Sequence, residues 1–419
     1  MRPASRTRLR RGGFAVLLLA LTLAPGPASA ARPCDARVCQ AAGQARWTEP
    51  LPGSWLAEPG LAGTTPAEGA AYAAVGRQFA VVGVGTTVQA YRASTGAPLW
   101  VSSLAGLGAG AQIVSVRSWP KVITAGVRVP GRAAGHASTR REVVLSAASG
   151  RLIRSYPAAA FGGAVSADAA RTVIVGTTAV TCYSNRTGAV VWSRPTGPAP
   201  QTWKTDGNEV YLTVAAGGYL SGAPVRAVRK INLRTGGQRL IRPPGSSFQG
   251  VLSRATRGVL VFTGPRGSIG YSGSTGMWLW RRAGALPAGV DPVDGLLYLS
   301  AGSALAGLDP WTGRTEVHVP SGSVPAVSGF YAVRDGTVFG LDQGAAGDAW
   351  GYDVAAGRVL WTNPALPWPH FFVDLSGIGG SAGPWSTAVL LAVCAQTGPA
   401  APGGSGQVCT KPELTALNW

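Results

Sequence analysis

The stretch Gly351-Tyr352-Asp353-Val354-Ala355-Ala356-Gly357-Arg358-Val359-Leu360-Trp361 decides the fold. An Asp four residues before a Gly, and a Trp four residues after it, describe a tight turn leading into a strand that carries one large aromatic side chain. The same frame recurs along the chain at Gly96, Gly150, Gly188, Gly236, Gly276 and Gly313, each preceded by Thr or Ser, and Trp100, Trp192 and Trp280 stand where Trp361 does. An early copy, Ala42-Gly43-Gln44-Ala45-Arg46-Trp47, brings the number of frames to eight. Self-similarity at a period of roughly 40–50 residues marks an array of supersecondary units, each too small to bury its own apolar faces.

The unit reads as strands. Gly295-Leu296-Leu297-Tyr298-Leu299-Ser300 and Ser303-Ala304-Leu305-Ala306-Gly307-Leu308-Asp309 are two short apolar runs ahead of Pro310-Trp311-Thr312-Gly313, and 314–319 follows as a third run. Short runs separated by turn residues read as hairpins. The polar residue four before each Gly (Asp309, Asp353, Asn232, Ser146, Ser184, Ser272) can bond its own backbone to start the turn, and the Gly supplies a positive φ. Asp206-Gly207, Asp294-Gly295 and Asp335-Gly336 provide a second hairpin upstream. Each unit is therefore four antiparallel strands, with second strands predicted at 79–84, 121–129, 171–177, 209–214, 258–263, 296–300, 337–341 and 387–393.

Sheets of this kind bury their faces by stacking radially, so an all-β, eight-bladed β-propeller is expected, with seven blades the alternative if the first copy is discounted. The Trp of each outer strand is read as a wedge between neighbouring sheets; copies with Arg154, Leu240 or Val317 in that place are expected to be weaker seams. Leu414-Thr415-Ala416-Leu417-Asn418 matches a third strand, and Gly43 to Trp47 matches an outer strand without its predecessors. The N-terminal strand is thus expected to complete the C-terminal blade.

Motifs such as Gly307-Leu308-Asp309-Pro310-Trp311-Thr312-Gly313 and Gly351 to Trp361 resemble the tryptophan-docking repeats of the quinoprotein-like propellers, whose members include dehydrogenases using pyrroloquinoline quinone (PQQ) and a propeller lipoprotein of outer-membrane β-barrel assembly. The resemblance covers residues 40–419 and implies the architecture. It does not carry the dehydrogenase chemistry, because the adjacent-Cys disulfide and the calcium-ligating acids of those enzymes have no counterpart: no two Cys adjoin, and Asp and Glu total 18. PQQ and calcium are therefore not expected as cofactors, and neither is any other. The lipoprotein's attachment Cys is also missing.

Arg2, Arg6, Arg8, Arg10 and Arg11, the apolar run 14–23 and Ala28-Ser29-Ala30 form a secretory pattern, so residues 1–30 are read as a signal peptide and 31–419 as a single propeller domain, secreted or held in the extracytoplasmic envelope. A twin-arginine signal and an uncleaved anchor are the alternatives. Taking five Arg and no acid from the formal charge of +19 leaves +14 on the mature chain. A basic surface favours anionic partners, although only four basic residues are Lys, which fits a bias of composition as well as selection for charge. Export makes disulfides available: Cys34, Cys39, Cys394 and Cys409 are the candidates, paired locally or across the chain ends, while Cys182 reads as a small buried hydrophobe. Scattered His and the absence of paired C-x-x-C knuckles argue against zinc.

Gly106-Leu107-Gly108-Ala109-Gly110 has no helix pattern after it and reads as a loop rather than a phosphate cradle. Asn185-Arg186-Thr187 matches a glycosylation acceptor but occupies a tight turn. Three His and no nucleophile-elbow setting leave a hydrolase without its parts. Connections between second and third strands at 130–141, 215–224, 342–348 and 395–411 are longer than the rest, and insertions on one face of a repeat array mark a binding face. The first, with its flanks, carries Arg128, Arg132, His136, Arg140 and Arg141, a set suited to an anion. The expected function is a non-catalytic exported scaffold, monomeric, receiving a protein, peptide or envelope polymer. The alternatives are a quinone-dependent oxidoreductase or other channel-site enzyme, and a binder of anionic wall polymer. Nucleic acid is not expected, because no aromatic-basic reading motif is present.

Overall fold

The computed structural model describes residues 45–50, 55–57, 72–75, 79–131, 138–158, 162–196, 202–215, 224–291, 293–302, 304–323, 332–334, 336–341, 349–363, 370–372, 388–399 and 407–418. Residues 1–30, Cys34, Cys39, Arg132 and His136 lie outside them. Residues Gln40–Trp419 form one compact unit.

Seven sheets of four antiparallel strands follow one another, each in sequential order. Sheet I holds Tyr72–Val75, Phe79–Val84, Thr87–Arg92 and Pro98–Ser103. Sheet II holds Gln112–Ser118, Val122–Val129, Thr139–Ser146 and Leu152–Ala158. Sheet III holds Gly163–Ala167, Arg171–Val175, Ala179–Ser184 and Val190–Pro195. Sheet IV holds Trp203–Asp206, Glu209–Ala215, Val225–Asn232 and Gln238–Ile241. Sheet V holds Val251–Thr256, Val259–Gly264, Gly267–Ser272 and Trp278–Arg282. Sheet VI holds Leu286–Val290, Leu297–Ala301, Ala304–Leu308 and Thr315–Val319. Sheet VII holds Ala332–Arg334, Thr337–Leu341, Ala349–Asp353 and Arg358–Asn363. First strands of successive sheets lie against one another at I and II, IV and V, V and VI, and VI and VII, the arrangement of a β-propeller with its first strands innermost.

A further, five-stranded sheet unites the chain ends: His370–Phe372, Ala388–Pro399 and Gln407–Asn418 are joined by Ala45–Pro50, and Trp55–Ala57 also pairs with Gln407–Asn418. Its register repeats the frame. Trp47 pairs with Ala416 across a bulge, as Trp100 pairs with Ala90, Trp192 with Cys182, Trp280 with Gly270 and Trp361 with Gly351. The strands Ala388–Pro399 and Gln407–Asn418 run well into 395–411, so that stretch is mostly paired backbone rather than a long loop. Cys394 and Cys409 stand opposite Pro412 and Thr397.

The turn chemistry explains why the frame recurs. The amide of Gly313 donates to the Asp309 carbonyl at 2.9 Å, and the Asp309 carboxylate accepts from the amides of Trp311 and Thr312 and from the Thr312 hydroxyl. These donors hold the Asp309 carboxyl below its usual range, the Thr312 amide contributing most. Asn232 performs the same service before Gly236.

Gly has a second duty that its φ alone does not reveal. Gly150 and Gly313 have φ of +67° and +65°, and a Cβ on either would lie 2.4 Å from the ring of Trp100 or Trp280, which reach over from the preceding sheet. The Trp100 Nε1 donates to the Ala147 carbonyl at 2.9 Å and the Trp280 Nε1 to the Pro310 carbonyl at 2.6 Å. Trp192 covers Gly236 in the same way. Two residues after the Trp, Arg194 and Arg282 donate to the carbonyls of Gly236 and Gly313, fixing the seam from its outer side. Inner turns add a carboxylate latch: Asp206 of sheet IV accepts the Gly258 amide of sheet V at 2.5 Å, and Asp291 of sheet VI accepts the Gly336 amide of sheet VII at 2.9 Å.

The apolar core is accordingly divided among seams. One cluster joins sheets I and II through Val88, Ile113, Val116, Ile123, Val143 and Leu145, and others join III to IV, IV to V, V to VI and VI to VII. The cluster between II and III is small, containing Val122, Val144, Tyr156, Ala167 and Ile174.

Candidate functional site: a charged seam beneath the long connection

The sheet II face that meets sheet III is mostly polar. Register places Gln112, Arg128 and Arg140 side by side in one row; Ser115, Gly126, Glu142 and Tyr156 form the next, and Arg117, Thr124, Val144 and Arg154 the third. The opposite face, carrying Ile113, Val116, Ala125, Val127, Val143 and Leu145, is apolar and packs on sheet I. Period-two alternation in Thr139-Arg140-Arg141-Glu142-Val143-Val144 thus sends Arg140 and Glu142 to one side and Val143 to the other.

Arg128 and Arg140 stand directly opposite each other, an arrangement of like charges that by itself costs stability. Their partners on the first strand are neutral: Arg128 Nη2 donates to Gln112 Oε1 at 2.8 Å, and Arg140 Nη2 to Ser115 Oγ at 3.1 Å. Gly126 makes the second contact feasible, because a Cβ there would lie 2.4 Å from Ser115 Oγ and 2.7 Å from Arg140 Nη2. Both arginines remain partly exposed, at the strand ends that flank residues 130–138.

Beneath them Glu142 is 1 % exposed, and among the described residues its Oε2 has no hydrogen-bond partner. Burial pushes its carboxyl above the ordinary value, against the opposing pull of Arg117, Arg140, the Ala164 amide and the Thr124 hydroxyl. Gly163 of sheet III lies over the spot, since a Cβ on it would be 3.7 Å from Glu142 Oε2 and 3.8 Å from Arg140 Nη2. Arg117 donates to the Ala164 carbonyl of sheet III and extends over the Trp203 ring of sheet IV, 5.1 Å from its centroid. One guanidinium therefore reaches along the inner strands of three sheets, with a cation–π contact at its tip.

Toward the rim the same seam has polar docking in place of indole. Arg154 stands where Trp100 and Trp280 do in their sheets, and donates to the Arg186 carbonyl at 2.8 Å beside Gly188. The Tyr156 hydroxyl donates to Asn185 Oδ1 at 3.0 Å, and its ring stacks on Tyr183 at 4.4 Å. Asn185 also accepts from Thr172 and donates to the Asp168 carbonyl, and at 2 % exposure it is a structural turn residue rather than an accessible glycan acceptor.

Of the five residues picked from the sequence, Arg128 and Arg140 come together on this face. Arg141 points the other way and donates to Ser155 Oγ at 2.7 Å. Both Arg140 and Arg141 belong to the strand Thr139–Ser146 rather than to the connection. Arg117, Glu142 and Ser115 were not anticipated; the lone Glu in Arg140-Arg141-Glu142-Val143-Val144 was the available signal. Cys182 is free and buried, as its apolar surroundings suggest. Among the described residues no group of His, Cys, Asp and Glu is placed to hold a metal ion.

No protein-family model matches the sequence, and no curated protein matches it. The fold is that of a β-propeller. Similar solved structures include BamB from Moraxella catarrhalis, 15 % identical over 72 % of this chain and 94 % of that one with a TM-score of 0.42. A europium-containing methanol dehydrogenase is 12 % identical over 89 % and 93 %, with a TM-score of 0.47. A eukaryotic initiation factor is 17 % identical over 80 % and 83 %, with a TM-score of 0.49.

Proposed function

We propose that the chain is an exported, non-catalytic scaffold that receives an acidic protein, peptide or envelope polymer on the face where the long connections emerge. The observation that supports this most is the Arg128–Arg140 pair, two like charges held side by side and partly open at the foot of the 130–138 connection. Like charges set directly opposite each other oppose one another, and an anion between them would offset that repulsion. Val251 and Leu286, which begin the first strands of sheets V and VI on the same face, are 55 % and 51 % exposed and give a partner apolar area to cover. The reading is tested with the purified mature chain and its Arg128→Gln/Arg140→Gln variant, co-sedimented with anionic wall polymer and with a neutral glycan. Retention by the anionic polymer and tenfold weaker retention of the variant support it; equal retention of both chains overturns the assignment of the face.

The enzymatic alternative has its own readout. Turnover with quinone, calcium and an artificial electron acceptor, or a chromophore carried through purification, would replace the scaffold reading with a redox one.

A further inference from the structure

The Arg128–Arg140 row and the carboxyl beneath it form one electrostatic unit. Four arginines, Arg117, Arg128, Arg140 and, on the outer strand, Arg154, lie on one sheet face, and Glu142 is the only acid in the three rows they share. A carboxylate enclosed to this degree persists as a charge only where cations face it. Arg140 on its own strand and Arg117 on the first supply them, and Arg128 stands one row away; Thr124, Tyr156 on the fourth strand and the Ala164 amide of sheet III complete the surroundings, with Arg154 at the rim. Among the described residues Oε2 spends none of its capacity on a hydrogen bond, and it lies toward Gly163, as Arg140 Nη2 does.

From this geometry we infer that the mouth of the II–III seam binds a single oxyanion between Arg128 and Arg140, and that Glu142 acts as a built-in counter-charge that takes up one proton from solvent as the anion enters. In the empty site the Glu142 carboxylate offsets the arginines. An arriving carboxylate or phosphoryl-type anion brings its own negative charge to them, and two anions within reach of the same guanidinium oppose each other, so the buried one becomes the neutral acid. The open strand ends admit the ligand, and the enclosure of Glu142 keeps it from competing by direct contact. The inference deepens the reading of this face as the receiving one and supplies the chemistry of what it would grip.

The test is calorimetric titration of the mature chain with sulfate and, separately, acetate, between pH 5.5 and 8 in buffers of different ionisation enthalpy. Sulfate stands for the tetrahedral class and acetate for the planar one, so the arm that binds more tightly identifies the source. The expected result is affinity rising toward about tenfold per unit of acidification where one proton is taken up on binding, with matching buffer-dependent heat. Glu142→Gln, nearly isosteric, should bind with no pH slope and no proton uptake, and more tightly than the native chain at pH 8. Arg128→Gln alters a partly exposed side chain and should weaken binding at least tenfold. The inference fails if neither anion binds at millimolar concentration, if Glu142→Gln retains the native slope, or if Arg128→Gln binds as the native chain does. Polymer retention that depends on Arg128 and Arg140 without small-anion binding would sink this inference and leave the scaffold reading standing; proton-linked anion binding without polymer retention would do the reverse.

Discussion

The seam between sheets I and II and the seam between II and III are built from the two faces of one sheet, yet they hold by different means. The first is closed by Val, Ile and Leu and by the Trp100 indole lying over Gly150. The second has a small apolar cluster, an arginine where the indole would be, and charged groups toward the inner strands. The contrast repeats along the chain. Trp192 and Trp280 close III–IV and V–VI, whereas at IV–V and VI–VII Leu240 and Val317 occupy the place of Trp, so indole and non-indole seams alternate. Dispersion and apolar burial dominate the first kind, whereas the II–III seam encloses a carboxyl that titrates. A repeat protein is stabilised by nearest-neighbour terms, so one seam can be specialised while the others keep the array intact.

The largest effect that would break this comparison is expected at the indoles. Trp280→Ala should cost ~3–5 kcal/mol by removing a buried wedge, whereas Arg154→Ala, at an exposed position, should cost no more than about 1 kcal/mol. Equilibrium urea unfolding of the two variants measures the difference, and equal losses would erase the distinction. Next come the glycines. Gly150→Ala and Gly313→Ala meet both a positive φ and an indole 2.4 Å away, while Gly188→Ala meets a positive φ with its nearest neighbour, Arg154 Nε, at 3.8 Å. The first two should lose ~2–5 kcal/mol, the left-handed backbone and overpacking acting together, and the third ~1–2 kcal/mol from the backbone alone.

A pH series separates the seams by kind. Because burial raises the Glu142 carboxyl above 4.5, the folded state holds its proton to higher pH than the unfolded chain does. Its contribution to stability is present below that unfolded value and is lost as pH rises through the folded one. The melting temperature of the native chain should therefore fall relative to Glu142→Gln as pH rises from 4.5 through the raised folded value, with the gap constant above it. Asp309 behaves oppositely: its carboxyl is held low, so the stability of its turn is lost only as pH falls below 3.8. The smallest effect is expected from Tyr156→Phe, which keeps the stack on Tyr183 and removes the bond to Asn185, at about 1 kcal/mol.

The turn and docking residues made the architecture legible. Gly96 to Gly357 mark every hairpin leading into an outer strand, and the second strand predicted at 79–84 is the observed Phe79–Val84. What the turn argument missed at Gly150 and Gly313 is that the missing Cβ makes room for a neighbour's indole, a fact that lives in the contact between sheets. The candidate site was only partly readable. Arg128 and Arg140 were visible as flanks of a long insertion, but their being opposite each other is a matter of register, and Arg141, next in sequence, faces away. Glu142 and Arg117 are 25 residues apart in sequence and meet only because the hairpin strands align, so neither alone signalled a site.

Hydrogen exchange with and without saturating sulfate tests most directly whether the polar seam is the one that works. The account predicts slowed exchange in Gln112–Ser118, Val122–Val129, Thr139–Ser146 and Gly163–Ala167, with the strands around Trp192 and Trp280 unchanged. Protection that appears equally at the indole seams, or at none of these strands, would contradict it.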